Sequence, residues 1–260
     1  ATGKVRCWGE GAGGFLGYGH DQTIGDDEVP AGLAELQIGG SVVQLAMGFV
    51  HTCALLSNGK VRCWGSSYDG ALGYGNFDNI GDDEAAGAGG DVDLGGTVAR
   101  IAVGWEHTCA VLTDGRLRCW GRNSEGQLGY AHSATIGDDE TPASAGDVPV
   151  GSPVRQVALG AHHTCALLTT GKVRCWGTSE SGQLGYGNTQ SVSPASAAAD
   201  VNVGGSVVQI AAGVAHTCAL LTTGAVRCWG SNNYGELGYP SAGNIGDDEL
   251  PYTALDVAVQ

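Results

Sequence analysis

Apolar and polar positions along this chain alternate or cluster in short runs, and nowhere do apolar residues return at helical spacing over a dozen positions. The runs recur instead. HTCALLTTGKVRCWG at 163–177 returns almost letter for letter from His51, His107 and His216, and ATGKVRCWG supplies its second half at the start. Each copy predicts a β-hairpin turning at Asn58, Asp114, Thr170 or Thr223. A glycine-rich stretch follows, then IGDDE, a short run such as DVDL, and an apolar run such as GGTVARIAVG. The pattern predicts about four short strands per unit and no helix of consequence.

Trp8, Trp64, Trp120, Trp176 and Trp229 lie 56, 56, 56 and 53 residues apart, which sets the period. The units run approximately 3–58, 59–114, 115–170, 171–223 and 224–260, with the last one incomplete. Four-stranded units of this length need neighbours on both faces, and radial stacking supplies them. The expectation is an all-β chain: a β-propeller of four-stranded antiparallel blades, four complete and one partial, as a single domain or fragment over 1–260. Aligned on IGDDE, the last unit stops before the equivalent of GGSVVQLAMGFVHTCALL, and the first begins after it. A fragment of a longer propeller is the favoured reading, ahead of an open array or a split blade completed by another chain.

The motifs G-x-V-x-x-W-G, GQLGYG (complete at 182–187, GQLGY at 126–130) and HTCALL resemble the regulator of chromosome condensation repeat over essentially the whole chain. The resemblance implies a propeller, seven-bladed in the family's namesake. It also implies two activities known in the class: nucleotide exchange on a small GTPase with chromatin binding, and inhibition of a target enzyme.

Charge changes the picture. Asp and Glu number 27 against 12 Lys and Arg, a net of −15, which disfavours nucleic acid and anionic membranes as partners. The 46 glycines follow no three-residue period and mark turns. No apolar run is long enough to cross a bilayer, and no N-x-S/T sequon is present.

Ten residues separate the cysteines of each hairpin: Cys53 and Cys63, Cys109 and Cys119, Cys165 and Cys175, Cys218 and Cys228. A turn centred as above sets each pair directly across the strands, within the reach of a disulfide. Such systematic pairs point to an oxidising compartment, outside the cell or at its surface. Cys7 is left as the unpaired thiol and a candidate intermolecular one. Two other readings stay open: reduced packed thiols, and a metal held by His51, Cys53 and Cys63, for which the repeat offers no fourth ligand. The histidines His51, His107, His163 and His216 recur with the architecture, whereas an active site is needed once, so a structural role and no enzymatic activity are expected.

Arg6, Arg62, Arg118, Arg174 and Arg227 share a strand face with the tryptophan two residues on, which suggests cation–π packing between blades, with Trp as an inter-sheet wedge. The acidic runs Asp26, Asp27, Glu28; Asp82, Asp83, Glu84; Asp138, Asp139, Glu140; and Asp247, Asp248, Glu249 are candidate binding positions on one rim. They lack the alternating D-x-D-x-D spacing of a calcium loop, and carboxylate-to-backbone turn bonds are the plainer expectation. Repeat four carries SVSP at 191–194 instead. The glycine-rich loops lack GK[ST] and a following helix, so neither nucleotide nor cofactor is called.

The functional expectation is a non-catalytic, disulfide-stapled extracellular scaffold that binds protein or glycan. An enzyme inhibitor, a fibre subunit self-associating through the incomplete blade, and a nucleotide-exchange factor follow in that order.

Overall fold

The computed structural model describes residues 2–240 and 243–258. Among the described residues its regular elements are twelve strands in four antiparallel sheets, one short α-helix, α1 (Pro142–Ala145), and five single-turn 3-10 helices. β1 (Val42–Met47), β2 (His51–Leu56) and β3 (Val61–Gly65) form the first sheet; β4 (Val98–Val103), β5 (His107–Leu112) and β6 (Leu117–Gly121) the second. β7 (Val154–Leu159), β8 (His163–Leu168) and β9 (Val173–Gly177) form the third; β10 (Val207–Ala212), β11 (His216–Leu221) and β12 (Val226–Gly230) the fourth. Each sheet is a blade with its strands in sequence order.

The chain divides into two compact units. The first comprises residues 1–113, 118–122 and 135–147; the second comprises 114–117, 123–134 and 148–260.

The hairpin turn shows why the motif reads as it does. Leu56 N–H donates to the Lys60 carbonyl and Gly59 N–H to the Leu56 carbonyl, leaving a three-residue loop that ends in a left-handed position, Gly59 at φ 77°. Glycine meets that geometry without the Cβ clash another residue would bring. The Leu56–Lys60 bond sets the alternation of the ladder, so Cys53 and Cys63 face each other at a non-hydrogen-bonded site, where side chains approach most closely.

Each blade has three regular strands; the fourth survives as an extended segment joined by single hydrogen bonds, Val92 N–H to the Val61 carbonyl and Val201 N–H to the Val173 carbonyl. A tyrosine takes the rest of the edge. The Tyr74 hydroxyl accepts from Cys63 N–H at 3.1 Å and lies 3.1 and 3.2 Å from the carbonyls of Cys63 and Gly90. Tyr186 does the same at Cys175, and burial pushes both phenols up to about 12. With the third strand's outer edge satisfied by a side chain, a full fourth strand has no ladder to complete.

The first strand of every blade carries a bulge at its second residue, and in the first and third blades the side chain beyond it fastens the following blade. Gln44 bonds both the N–H (3.1 Å) and the carbonyl (2.7 Å) of Ile101, and Gln156 treats Ile210 in the same way. The amide thus imitates a strand partner on an open edge.

Candidate binding surface

At three junctions the repeated residues converge on one backbone carbonyl. In the first unit the Ala71 carbonyl accepts from Trp120 Nε1 at 3.0 Å and from the Thr108 hydroxyl at 3.5 Å. In the second, the Gln127 carbonyl accepts from Trp176 Nε1 (3.0 Å) and Thr164 (2.8 Å), and the Gln183 carbonyl from Trp229 Nε1 (3.0 Å) and Thr217 (3.1 Å). These carbonyls open the LGY motif of the preceding repeat. Its glycine is required by contact: a Cβ on Gly129 would lie 2.6 Å from Trp176 Nε1, and one on Gly185 2.8 Å from Trp229 Nε1. Trp64, Trp120, Trp176 and Trp229 are completely buried, as an inter-sheet wedge should be, while Trp8 is exposed. The buried Trp64 Nε1 has no partner among the described residues.

The histidines join the same junctions. His163 Nε2 lies 3.0 Å from Thr217 Oγ1, and His51 Nε2 2.6 Å from Thr108 Oγ1. Each threonine directs its own proton to a carbonyl, so the histidine is the donor at Nε2 and neutral. Burial holds His51 and His163 at about 3, far below the ordinary range. Both rings are buried, so the remaining nitrogen, Nδ1, of each has no access to a ligand in solvent. His51 meets Thr108, and Cys53 and Cys63 are joined to each other, which removes the three-ligand metal set considered from sequence.

All four hairpin pairs are disulfides: Cys53–Cys63, Cys109–Cys119, Cys165–Cys175 and Cys218–Cys228, with Cα separations of 4.0–4.1 Å. Cys7 is a half-buried free thiol, raised by burial to about 11 and therefore protonated at neutral pH.

The arginines act differently from the cation–π expectation. Arg62 sends Nε to Asp91 (2.9 Å) and Nη1 to the Ile38 carbonyl (2.8 Å) of the preceding repeat. Arg174 binds Asp200 and the Val150 carbonyl, and Arg227 binds Asp256 and the Val203 carbonyl. A guanidinium offers a planar fork of donors, and carbonyls plus a carboxylate satisfy it better than a ring face. The partner was visible in the sequence as the recurring Asp-Val of DVDL, DVNV and DVAV, a constant distance after Arg62 and Arg227.

The acidic runs sit in turns that close on themselves. Gly25 N–H donates to Glu28 Oε2 (2.8 Å), Asp27 N–H to Asp26 Oδ1 and Asp83 N–H to Asp82 Oδ1. These turns also lie on the preceding repeat's LGYG loop, Gly19 N–H donating to the Gly81 carbonyl and Gly75 N–H to the Gly137 carbonyl. Crowded carboxylates shift one another: Asp27 is raised by the hydrogen bond and charge of Glu28, and Glu84 and Glu140 are raised by desolvation and their neighbours. In each of the four runs three carboxylate oxygens come within 4.8 Å of one another. Where SVSP replaces the run, Ala195 N–H reaches the Gly129 carbonyl and the Ser193 hydroxyl reaches the Tyr130 carbonyl, closing the loop without carboxylates. A shallow cleft there is lined by Ser124, Glu125, His132, Ser193 and Pro194.

The turns entering the histidine strands carry Phe49 and Trp105 in the first unit and Ala161 and Val214 in the second; Phe49 and Val214 are largely exposed, whereas Ala161 is buried. Three-stranded sheets repeated along the chain and joined by internal fasteners define a repeat β-propeller. The RCC1-like domain profile matches residues 4–256, and the chain belongs to that family. It is 32% identical over 258 residues to the Arabidopsis thaliana Ultraviolet-B receptor UVR8, covering 96% of this chain and 54% of that protein. It is 32% identical over 251 residues to the mitochondrial RCC1 domain-containing protein RUG3 of the same plant, covering 93% and 53%. The chain thus spans about half the length of these relatives. The solved structure of Prp20p from Saccharomyces cerevisiae superposes with a TM-score of 0.71 at 21% identity, covering 96% of this chain and 59% of that one. That likeness carries the β-propeller fold.

Proposed function

We propose that this chain is a non-catalytic scaffold that binds a protein ligand outside the cell or at its surface. The observation that carries the reading is the involvement of the repeated reactive residues in fastening: the hairpin cysteines in disulfides, His51 and His163 on threonines, and Arg62, Arg174 and Arg227 in straps. Solved relatives are protein binders by description, Prp20p being characterised for binding to Gsp1p and histones and captured with Kap60. Four disulfides in one chain support the oxidising location, because reducing compartments keep thiols free.

Two measurements test this. Intact mass after non-reducing alkylation of protein from an oxidising host should show one modified cysteine, Cys7, and four retained pairs. Nine modified cysteines would overturn the location. Release of a fluorescent guanine nucleotide from small GTPases should be unchanged by the chain; acceleration would replace the scaffold reading with nucleotide exchange.

A further inference from the structure

The fourth repeat departs from the others in its loop. Trp176 and Trp229 are 53 residues apart where the earlier tryptophans are 56 apart, and SVSP stands in place of the acidic run. In the second repeat the longer loop lies against the tyrosine of LGY, a Cβ on Gly89 coming within 2.8 Å of Tyr74 Cζ. Beside the shorter loop of the fourth repeat lies a cleft of about 420 Å³, within the size range of small-molecule sites. Tyr186, Val192 and Leu250 give it apolar lining, and Gln190, Ser191, Asp200 and Asn202 give it polar lining.

The apolar wall is rigid, because the Tyr186 hydroxyl is held by Cys175 and the Ala199 carbonyl. The polar lining keeps hydrogen-bonding capacity in reserve. Asn202 commits Oδ1 to Gly204 N–H at 3.2 Å, leaving its two amide hydrogens. Asp200 commits Oδ1 to Arg174 Nε at 2.8 Å, leaving Oδ2. Gln190 N–H is fixed by Asn188 Oδ1 at 2.9 Å, which sets the loop in place while the Gln190 carboxamide and the Ser191 hydroxyl stay available. Arg174 offsets the one carboxylate of the lining, so the cleft calls for a neutral ligand. The matching ligand offers hydroxyls that both donate and accept, and an apolar face for Tyr186 and Leu250. A sugar ring has both. A second cleft, of about 380 Å³, shares Asp200 and Asn202 and continues along Gly204 and Gly205, which gives room for consecutive rings.

We propose that the cleft of the fourth repeat binds a neutral oligosaccharide, its hydroxyls on Gln190, Ser191, Asp200 and Asn202 and the C–H face of one ring against Tyr186 and Leu250. Such binding adds a ligand class to the protein-binding reading and does not depend on it.

The test is saturation-transfer NMR on the full chain with lactose, cellobiose, mannobiose and chitobiose, and with sialyllactose and a sulfated heparin disaccharide as charged counterparts. At least one neutral disaccharide should bind. Gln190→Ala/Ser191→Ala removes two side chains that hold nothing in the fold and should weaken it about tenfold. Ala197→Arg, at an exposed lining position, should abolish it by filling the cleft, whereas Thr189→Ala, outside the lining, should leave it unchanged. Near-UV circular dichroism confirms that each variant is folded. No neutral disaccharide bound, binding of the charged counterparts alone, or binding that survives Ala197→Arg or is unmoved by Gln190→Ala/Ser191→Ala would overturn the site. Those outcomes leave the scaffold reading to its own mass and exchange measurements.

Discussion

The two units are fastened alike and surfaced differently. Gln44 on Ile101 matches Gln156 on Ile210, His51 on Thr108 matches His163 on Thr217, and Trp120 on Ala71 matches Trp176 on Gln127. The turns entering the histidine strands part company, with Phe49 and Trp105 in one unit and Ala161 and Val214 in the other. A buried donor must find its acceptor or incur a cost of about 1–3 kcal/mol, so fasteners tolerate little change. A turn side chain facing water bears no such penalty. Variation there costs the fold little.

The equivalence of the fasteners can be broken most forcefully at the wedge. Trp120→Ala and Trp176→Ala should each cost about 3–5 kcal/mol, since both empty a fully enclosed site and remove one of two donors to a carbonyl, and urea unfolding would measure it. Markedly unequal losses would show that the two junctions are not equivalent. Removing a hairpin bridge comes next: Cys109→Ser/Cys119→Ser and Cys165→Ser/Cys175→Ser should each lower stability by up to about 3 kcal/mol, read as matching shifts in thermal midpoint.

Acid should weaken both units through their histidines. His51 and His163 have folded values near 3 against an ordinary 6.5, so the unfolded chain takes up protons first as the pH falls. Their contribution is intact above about pH 6.5 and erodes toward pH 3, at about 1.4 kcal/mol per pH unit for each histidine. Glu84 and Glu140, raised in the folded state, act in the opposite sense near and below about pH 5. The slope should therefore be steepest between about pH 6 and 5, and His163→Gln should flatten it. A stability profile level across that interval would contradict the buried neutral histidines.

The smallest effect on folding belongs to the turns. Phe49→Ala should change stability by no more than about 0.5 kcal/mol, because its ring is largely in water already. A larger loss on thermal unfolding would make the ring part of the framework and erase the distinction between fastener and turn.

Much of this was legible in one dimension. The 56-residue period fixed the number of blades, the ten-residue cysteine spacing fixed the hairpin register, and alternation placed Arg and Trp on one strand face. The acidic runs read correctly as turns, because short carboxylates bond nearby backbone N–H groups. The partner of each arginine was harder, since Asp91 lies 29 residues beyond Arg62 with a loop between. The threonine of HTC and the tyrosine of LGY gave no local sign of their roles.

By itself the sequence determined what depends on neighbours along the strand: the hairpins, their bridges, the glycine turns and the repeat. The tertiary structure alone decided what each repeat does to the next. Ala71 gives its carbonyl to Trp120 and Thr108, and the Tyr74 hydroxyl stands in for a fourth strand, because backbone groups left over by one sheet must be satisfied by side chains that only folding brings near. The meeting of Phe49 and Trp105 belongs to the same category: two aromatic residues 56 positions apart become one surface when Gly48 lets their turns touch.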